Sequence, residues 1–389
     1  MYDVLVIGGG PAGNQVALGL AQQQFEVGVL DHRHQLGDKL CTGIIGVECA
    51  AKYSVPEALV RGSISHVNVS TSSGRFQRVE RARPEALVID RVAFVAHIGA
   101  QARAQGAQYM LGRTVTGIAT TEKSVSVSAS GPDGEERHEA RVVVIASGFA
   151  SPLPRFVGLE PAGTAALAAQ CTIVASADPG DVVVLVGEHV PKGFFGWLVP
   201  TGDGEMMAGL MGRGATNSAL STMLVRLKPE MDLEFASPIK RWGVPLRPAS
   251  RSATDRVVLV GDVAGQVKPT TGGGIYYSLL SADIAAEEIS GALRSDCLSE
   301  SRLRRYDQRW REVLGREMTT GYYARKLYES LGPGDMGRLM PLMAKSGLLN
   351  NGLKFDWHSE LILKGLGHGL IDGFLAPFKT GARNGIHPK

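Results

Sequence analysis

Short apolar runs, two-residue alternation and helical spacing follow one another along this chain in a fixed order. Val4 to Ile7 is fully apolar and runs into Gly8-Gly9-Gly10-Pro11-Ala12-Gly13, which predicts a strand, a tight turn and a helix. A second strand, Phe25 to Leu30, ends at Asp31. Residues 62 to 80, through Ser63-Ile64-Ser65-His66-Val67-Asn68-Val69-Ser70, alternate in strand fashion and predict a crossing into a different sheet. The chain returns at Val88-Ile89-Asp90-Arg91, with a helix expected over Val92 to Ala104. Strands follow at Gln108 to Thr120 and Val125 to Ser130, then a hairpin turn at Pro132-Asp133-Gly134 and a buried strand from Arg141 to Ala146. A second set of strands is expected at Ala168 to Ala175, Val182 to Val186, Gly196 to Pro200 and Glu205 to Met211. One more apolar strand, Val257 to Val260, precedes a long helical pattern from Ile275 to about Leu293.

The first glycine cluster has a physical reading. Gly8 makes the tight turn, Gly10 lets the backbone approach a pyrophosphate, and Gly13 lets the helix pack close to the strand. The helix N-terminus then offers unpaired N–H groups to phosphate. Asp31, eighteen residues after Gly13, stands where an acid bonds a ribose hydroxyl. Gly261-Asp262 closes the late strand, at the end where such sheets bind ligands, and Asp262 is placed to bond a ribityl chain. Gly272, Gly273, Gly274 and Ile275 open the long helix, whose N-terminus suits the negative charge of a reduced flavin. The two clusters together point to FAD, held by both ends of the chain. The fold class that follows is α/β (α+β). A Rossmann-like FAD-binding domain takes 1–61, 81–155 and 250–298. An antiparallel-sheet substrate domain takes 62–80 and 156–249, and 299–389 form a C-terminal helical region.

The second cluster, Gly261-Asp-Val-Ala-Gly-Gln-Val-Lys-Pro-Thr-Thr-Gly-Gly-Gly-Ile-Tyr-Tyr277, resembles the second FAD signature of the geranylgeranyl reductase family. That family has the hydroxybenzoate-hydroxylase-like, glutathione-reductase-type FAD fold. Gly37-Asp-Lys-Leu-Cys41-Thr-Gly43-Ile resembles its cysteine–glycine segment, although Thr42 replaces a glycine and Ile44-Ile45 follow. Phe195-Gly-Trp197-Leu-Val-Pro200 resembles its aromatic-x-Trp-x-Phe-Pro motif, with Val199 for the phenylalanine. The match runs from residue 1 to roughly 330. The resemblance implies an FAD-dependent reduction of isoprenoid double bonds and makes Arg91 an FAD contact; a salt bridge at a helix start is its alternative role. At Ser147-Gly148 the relatives have Asp-Gly, so the loop charge that orients FAD and NADPH is missing.

An isolated alkene is not polarised by a carbonyl. Its reduction needs hydride at one carbon, a proton at the other, and a dry apolar chamber. Phe194, Phe195 and Trp197 are candidates for the chamber wall, with packing of the second sheet as their alternative role. Cys41 is the first candidate proton donor, since a free thiol is protonated at neutral pH; inert packing is its alternative. Tyr276 and Tyr277, at the start of the long helix, are the fallback donors and substrate contacts, and Lys39 steers charge at most. Nothing after residue 160 repeats G-x-G-x-x-G, so electrons come from docked NADPH or from a ferredoxin-type donor. A monooxygenase or halogenase shares the fold and stays open as an alternative. A halogenase is expected to carry Trp-x-Trp-x-Ile-Pro, and Phe195 stands where its first tryptophan belongs. A flavin-holding lipid carrier or partner subunit is the non-enzymatic alternative.

Composition adds exclusions. The 389 residues carry 41 basic and 38 acidic side chains, a net charge of +3, so no nucleic-acid partner is implied. Four cysteines (Cys41, Cys49, Cys171, Cys297) and nine histidines show no metal spacing, and no disulfide scaffold is expected, which fits a reducing compartment. The first strand starts at residue 2, leaving no room for a signal peptide, and no apolar run reaches the roughly eighteen residues of a membrane span. A cytoplasmic protein is expected. From 303 onward, Leu303, Tyr306, Trp310, Val313 and Leu314 recur at helical spacing among Arg302, Arg304, Arg305, Arg309, Arg311 and Arg316. Such a helix either packs Trp310 on the body or lies on anionic lipid as a peripheral contact. The apolar tail with Trp357, residues 361 to 363, Leu366, Leu370, Ile371 and Phe374 reads either as a tunnel cover or as an ordinary cap.

Overall fold

The computed structural model describes residues 1–37, 41–70, 76–175, 182–202, 204–228, 233–332 and 354–367. Its helices are α1 (Pro11–Ala21), α2 (Val47–Lys52), α3 (Arg91–Ala104), α4 (Thr216–Leu227), α5 (Ile275–Arg294), α6 (Glu300–Ser330) and α7 (Ser359–Gly367).

The apolar run at the N-terminus becomes the centre of an eight-stranded sheet. Its order is Ala253–Thr254, Val257–Leu259, Gly134–Ile145, Tyr2–Ile7, Val27–Asp31 and Gln108–Leu111, with Thr114–Thr120 and Val125–Gly131 attached through Gly134–Ile145. Tyr2–Ile7 pairs in parallel on both sides, Leu5 lying opposite Val143 and Gly28. Parallel strands buried on both faces need apolar residues at every position. Val4 and Val6 accordingly enter the core beneath α1, α3 and α5, while Leu5 and Ile7 enter a second core with Ile118, Val125 and Val127.

The second sheet also has eight strands, in the order Leu233–Phe235, Ala165–Ala175, Glu205–Gly212, Gly196–Gly202, Val182–Leu185, His66–Ser70 and Phe76–Glu80, with Lys240–Pro245 beside Ala165–Ala175. It is antiparallel except where Val182–Leu185 meets His66–Ser70. Helix α4 covers one face with Leu220, Met223, Leu224 and Leu227. The other face turns Trp197, Val199 and Met211 toward Val88 and Val267 of the first domain.

Two details depart from the expectation. The alternating segment 62–80 does not belong to one sheet: Val60–Ile64 joins a small sheet with Ile44–Gly46 and Ala86–Ile89, and only His66–Ser70 and Phe76–Glu80 cross over. The run 108–120 is two strands, broken at Gly112, whose φ of +70° no β-strand adopts. In both cases the alternation persists through a turn that periodicity does not register.

Helix α6 packs its apolar stripe inward. Leu303, Tyr306, Trp310 and Leu314 are fully buried, whereas Val313 faces solvent. Five of the six arginines named above are ion-paired within the protein: Arg302, Arg305 and Arg309 with Glu288 of α5, Arg304 with Glu300, and Arg311 with Asp307. The Trp310 indole N–H donates to Ser252 Oγ at 2.8 Å. Trp310→Ala is therefore expected to cost about 3–5 kcal/mol, read as a lowered denaturation midpoint at unchanged slope. Leu370, Ile371 and Phe374 lie outside the described residues, as does Lys39. Among the described residues no helix is long and apolar enough to cross a membrane, and no cluster of three or more His, Cys, Asp or Glu side chains could hold a metal.

Candidate flavin and substrate site

The first anchor is built by three glycines doing different work. Gly8 takes φ +109°, and a Cβ there would stand 2.5 Å from the Ala146 carbonyl oxygen. A Cβ at Gly13 would run into the Gly8 carbonyl, so helix and turn touch only because both residues are glycine. Gly10 faces open space, with nothing within 4 Å of its Cβ position. Helix α1 starts at this turn without a side-chain cap or an acidic residue in its first turn. Its N–H groups are left for an anion, which is what a pyrophosphate requires. Asp31 is buried and accepts the Gly9 N–H at 2.6 Å and the Arg33 N–H at 2.8 Å.

Asn14, which sequence reasoning passed over, holds this turn in place. Its amide donates to Gly9 O and Val95 O and accepts from Tyr109 OH at 2.9 Å. The sequence showed only an asparagine directly after Gly13; its complete burial, which demands hydrogen-bond partners, is visible in the structure alone. Arg91 opens α3; it is buried and its guanidinium donates to Gly37 O at 2.7 Å. Beside it Asp90 caps α3, its carboxylate held below the ordinary range by the Ala93 N–H and by Arg61.

The second anchor meets the first. Gly261, at φ +83°, puts its Cβ position 3.0 Å from the Ala12 methyl of α1. Its N–H donates to Gln266 Oε1, whose amide nitrogen donates to Tyr306 OH, which in turn donates to Leu259 O. Asp262 follows in the turn, with Oδ1 3.0 Å from the Cβ position of Gly274. Gly272 takes φ +76°, Gly273 lies against the Lys268 side chain, and Gly274 precedes Ile275, the first residue of α5. This helix too begins with no side-chain cap and no acid in its first turn. The two open helix N-termini and the space before Gly10 fit FAD. The residues that would hold it are Gly8, Gly10, Gly13, Asp31, Arg91, Gly261, Asp262 and Gly272 to Ile275.

An apolar cluster adjoins this loop. Trp197 lies across Gly209 of the neighbouring strand, with its ring centroid 5.7 Å from Phe195 and 6.5 Å from Trp242. Ile64, Val88, Phe194, Val199, Met211 and Val267 complete the cluster, and Phe355 of the C-terminal segment packs against it. The Trp197 indole nitrogen is buried without a hydrogen-bond partner among the described residues. Arg325 of α6 ties the loop from Gly265 to Gly274, the candidate flavin loop, to this wall: it donates to Pro269 O, Thr270 O and Gly193 O and stacks on Phe194 at 4.1 Å.

Cys41 is half-buried and lines a cleft of about 370 Å³ with Thr42, Ile89, Arg91, Thr201 and Met207. Here residues of the first domain face strands of the second sheet. The Thr42 hydroxyl donates to Gln170 Oε1 at 2.8 Å, and Gly43 packs on the Ile89 carbonyl at φ +74°. Tyr276 and Tyr277 point elsewhere. The Tyr276 hydroxyl donates to Glu48 at 2.6 Å and that of Tyr277 to Asp356 O at 3.2 Å. Burial, followed for Tyr276 by Glu48 and for Tyr277 by Glu317, raises both hydroxyls above the ordinary tyrosine range. The Ser147 hydroxyl is buried beside Gly8 with no partner among the described residues.

His358 docks on the flavin loop, Nδ1 2.7 Å from Thr270 Oγ1 and Nε2 2.9 Å from Phe355 O. Burial, then the nearby Lys268 charge, pushes its pKa down to about 4 from 6.5. Below pH 6.5 the unfolded chain takes up a proton that the folded chain refuses until about pH 4. The stability contributed by neutral His358 is thus complete above pH 6.5 and is lost as pH falls through that window. The melting temperature is expected to drop across it, and His358→Gln to flatten that drop.

Comparison with known proteins agrees with this geometry. Residues 2–188 match the family described as pyridine nucleotide-disulphide oxidoreductase. Digeranylgeranylglycerophospholipid reductase 1 of Methanopyrus kandleri is 30% identical over 327 residues, covering 80% of this chain and 86% of the relative. Digeranylgeranylglycerophospholipid reductase 2 of the same organism is 28% identical, covering 90% and 92%. The crystal structure of a geranylgeranyl bacteriochlorophyll reductase-like protein from Thermoplasma acidophilum superposes with a TM-score of 0.86 at 20% identity, covering 97% of this chain and 98% of that one. Two glycine-built phosphate turns, a shared apolar cluster and relatives matched over nearly their whole length converge, and the chain belongs to the geranylgeranyl and digeranylgeranylglycerophospholipid reductase-like family of FAD-dependent oxidoreductases.

Proposed function

We propose that this protein saturates carbon–carbon double bonds of an isoprenoid chain carried by a lipid, a diphosphate or a quinone. The observation that carries the reading is one juxtaposition. The apolar cluster of Trp197, Val199 and Met211 adjoins the flavin loop at Val267, and the cleft with Cys41 and Arg91 lies between the same two domains. The names of the M. kandleri relatives supply the substrate class.

Bound FAD supplies a hydride when reduced. The chain's own residues do the rest. Trp197 and Phe195 hold the alkene in an apolar, water-poor wall, so the substrate meets the flavin loop without a competing proton source. Cys41, on the neighbouring cleft, keeps a proton at Sγ and delivers it to the second alkene carbon. Arg91 and the turn at Gly8 to Gly13 would hold the phosphates, and Asp262 the ribityl chain. Electrons arrive from NADPH or a ferredoxin-type donor. An apolar substrate brings a cytoplasmic enzyme to the membrane surface as a peripheral visitor.

The test is anaerobic. The flavin is reduced with dithionite, a geranylgeranyl lipid is added, and flavin reoxidation is followed together with product mass. Reoxidation with a two-hydrogen gain per turnover is expected. A flavin that stays reduced until oxygen enters, then oxygenates or halogenates an added substrate, overturns the reading in favour of an oxygen-using enzyme.

A further inference from the structure

Lys268 lies within the second glycine signature, and neither the FAD contacts nor the proposed chemistry uses it. It is 3% exposed, and its ammonium donates to Asp356 Oδ1 and to Phe355 O, each at 2.9 Å. The aliphatic end of the same side chain lies on the flavin loop, Cε 3.3 Å and Nζ 3.8 Å from the Cβ position of Gly273. Asp356 is equally buried, and its carboxylate lies where Gly46 leaves room for it. The Phe355 ring sits 4.5 Å below the ammonium and reaches the apolar cluster. Further bonds fasten the same C-terminal segment behind the loop: His358 to Thr270, Tyr277 OH to Asp356 O, and Glu317 of α6 accepting the His358 and Ser359 N–H groups.

A fully buried ion pair is seldom a net source of stability, since desolvation of both charges offsets their attraction. Its position matters more here. The ammonium stands against the glycines that open α5, whose N-terminus already presents a positive end. Burial pulls the lysine toward its neutral form and Asp356 opposes that pull. Asp356 shares that work with the Phe355 carbonyl and the Phe355 ring, which also face the ammonium.

We propose that Lys268, held by Asp356 of the C-terminal segment, is a positioning residue that places a positive charge behind the flavin loop and favours the reduced form of the bound flavin. The inference rests on the FAD site described above and is independent of which alkene is reduced. A charge of this kind acts on potential with a sign. Lys268→Met leaves an unpaired carboxylate and lowers the midpoint potential, Lys268→Arg restores it, and Asp356→Asn leaves the ammonium, still bonded to Phe355 O and seated over the Phe355 ring, without an opposing charge and raises it. A contact that merely braced the loop would, when broken from either side, shift the potential the same way.

The experiment is an anaerobic equilibrium titration of each FAD-loaded variant against a reference dye, with FAD retention checked by absorbance after gel filtration. Opposite shifts for Lys268→Met and Asp356→Asn are the expected result. Should the unpaired carboxylate prevent Lys268→Met from folding, Lys268→Met/Asp356→Asn is compared with Asp356→Asn alone, and loss of the lysine again lowers the potential. No drop in that comparison, or two single variants moving together, overturns the proposal. A wild-type protein that retains no FAD would instead remove the flavin site beneath it.

Discussion

Gly10→Glu is expected to give a folded, colourless protein. Gly10 has φ −79° and ψ −175°, extended backbone that any residue adopts, and no atom lies within 4 Å of its Cβ position. The new side chain therefore meets no steric obstacle. Its carboxylate enters the space before the uncapped end of α1, where a negative charge is favourable by about 0.3–1 kcal/mol. The empty fold should keep or slightly raise its melting temperature while the pyrophosphate is shut out by volume and by charge. Far-ultraviolet circular dichroism and the visible absorbance of the purified protein decide the matter. A yellow, FAD-loaded variant would show that the turn is not the phosphate site. Gly13→Ala is the contrasting case, because its methyl collides with the Gly8 carbonyl and the damage falls on folding itself.

Cys41→Ser is expected to keep FAD and to slow alkene reduction by about 10²-fold, the lower end of what a positioned general acid contributes. The substitution preserves size and hydrogen-bonding capacity at a half-buried position on the cleft, so packing changes little. It removes the acidity, since an aliphatic hydroxyl does not release a proton at neutral pH. The readout is single-turnover reoxidation of pre-reduced enzyme, which excludes the external donor from the measurement. An unchanged rate would return Cys41 to a packing role. Tyr276 is not an alternative of equal standing. Its hydroxyl is committed to Glu48, between the rings of Tyr53 and Trp357.

How much of this was legible in the order of residues differs from element to element. Both glycine clusters were, because a strand–turn–helix is local: Gly13 answers to the Gly8 carbonyl five residues back, and Gly8 to Ala146 on the adjoining strand. The antiparallel strands 165–175, 182–185, 196–202 and 205–212 fall where alternation placed them, within a few residues. The inward face of α6 was readable from helical spacing, except that Val313 turns outward. The directions of Tyr276 and Tyr277 were not readable. At the start of a helix a side chain's face is set by what the helix packs on, and α5 packs on α1 and on the C-terminal segment.

By itself, then, the sequence determined most of the long strands and helices, where the two glycine turns lie, and that a flavin is the cofactor. Hydrophobic periodicity and glycine geometry act over one or two turns of chain, and a reader needs no partner to interpret them. Only the tertiary structure decided that Lys268 meets Asp356, 88 residues further on, or that residues 62–80 divide between two sheets. It alone placed the Cys41 cleft against strand ends of the second domain. Those facts depend on which surfaces bury one another. A buried charge or a half-exposed thiol has the same one-letter signature whether its partner is solvent, a carboxylate or a substrate.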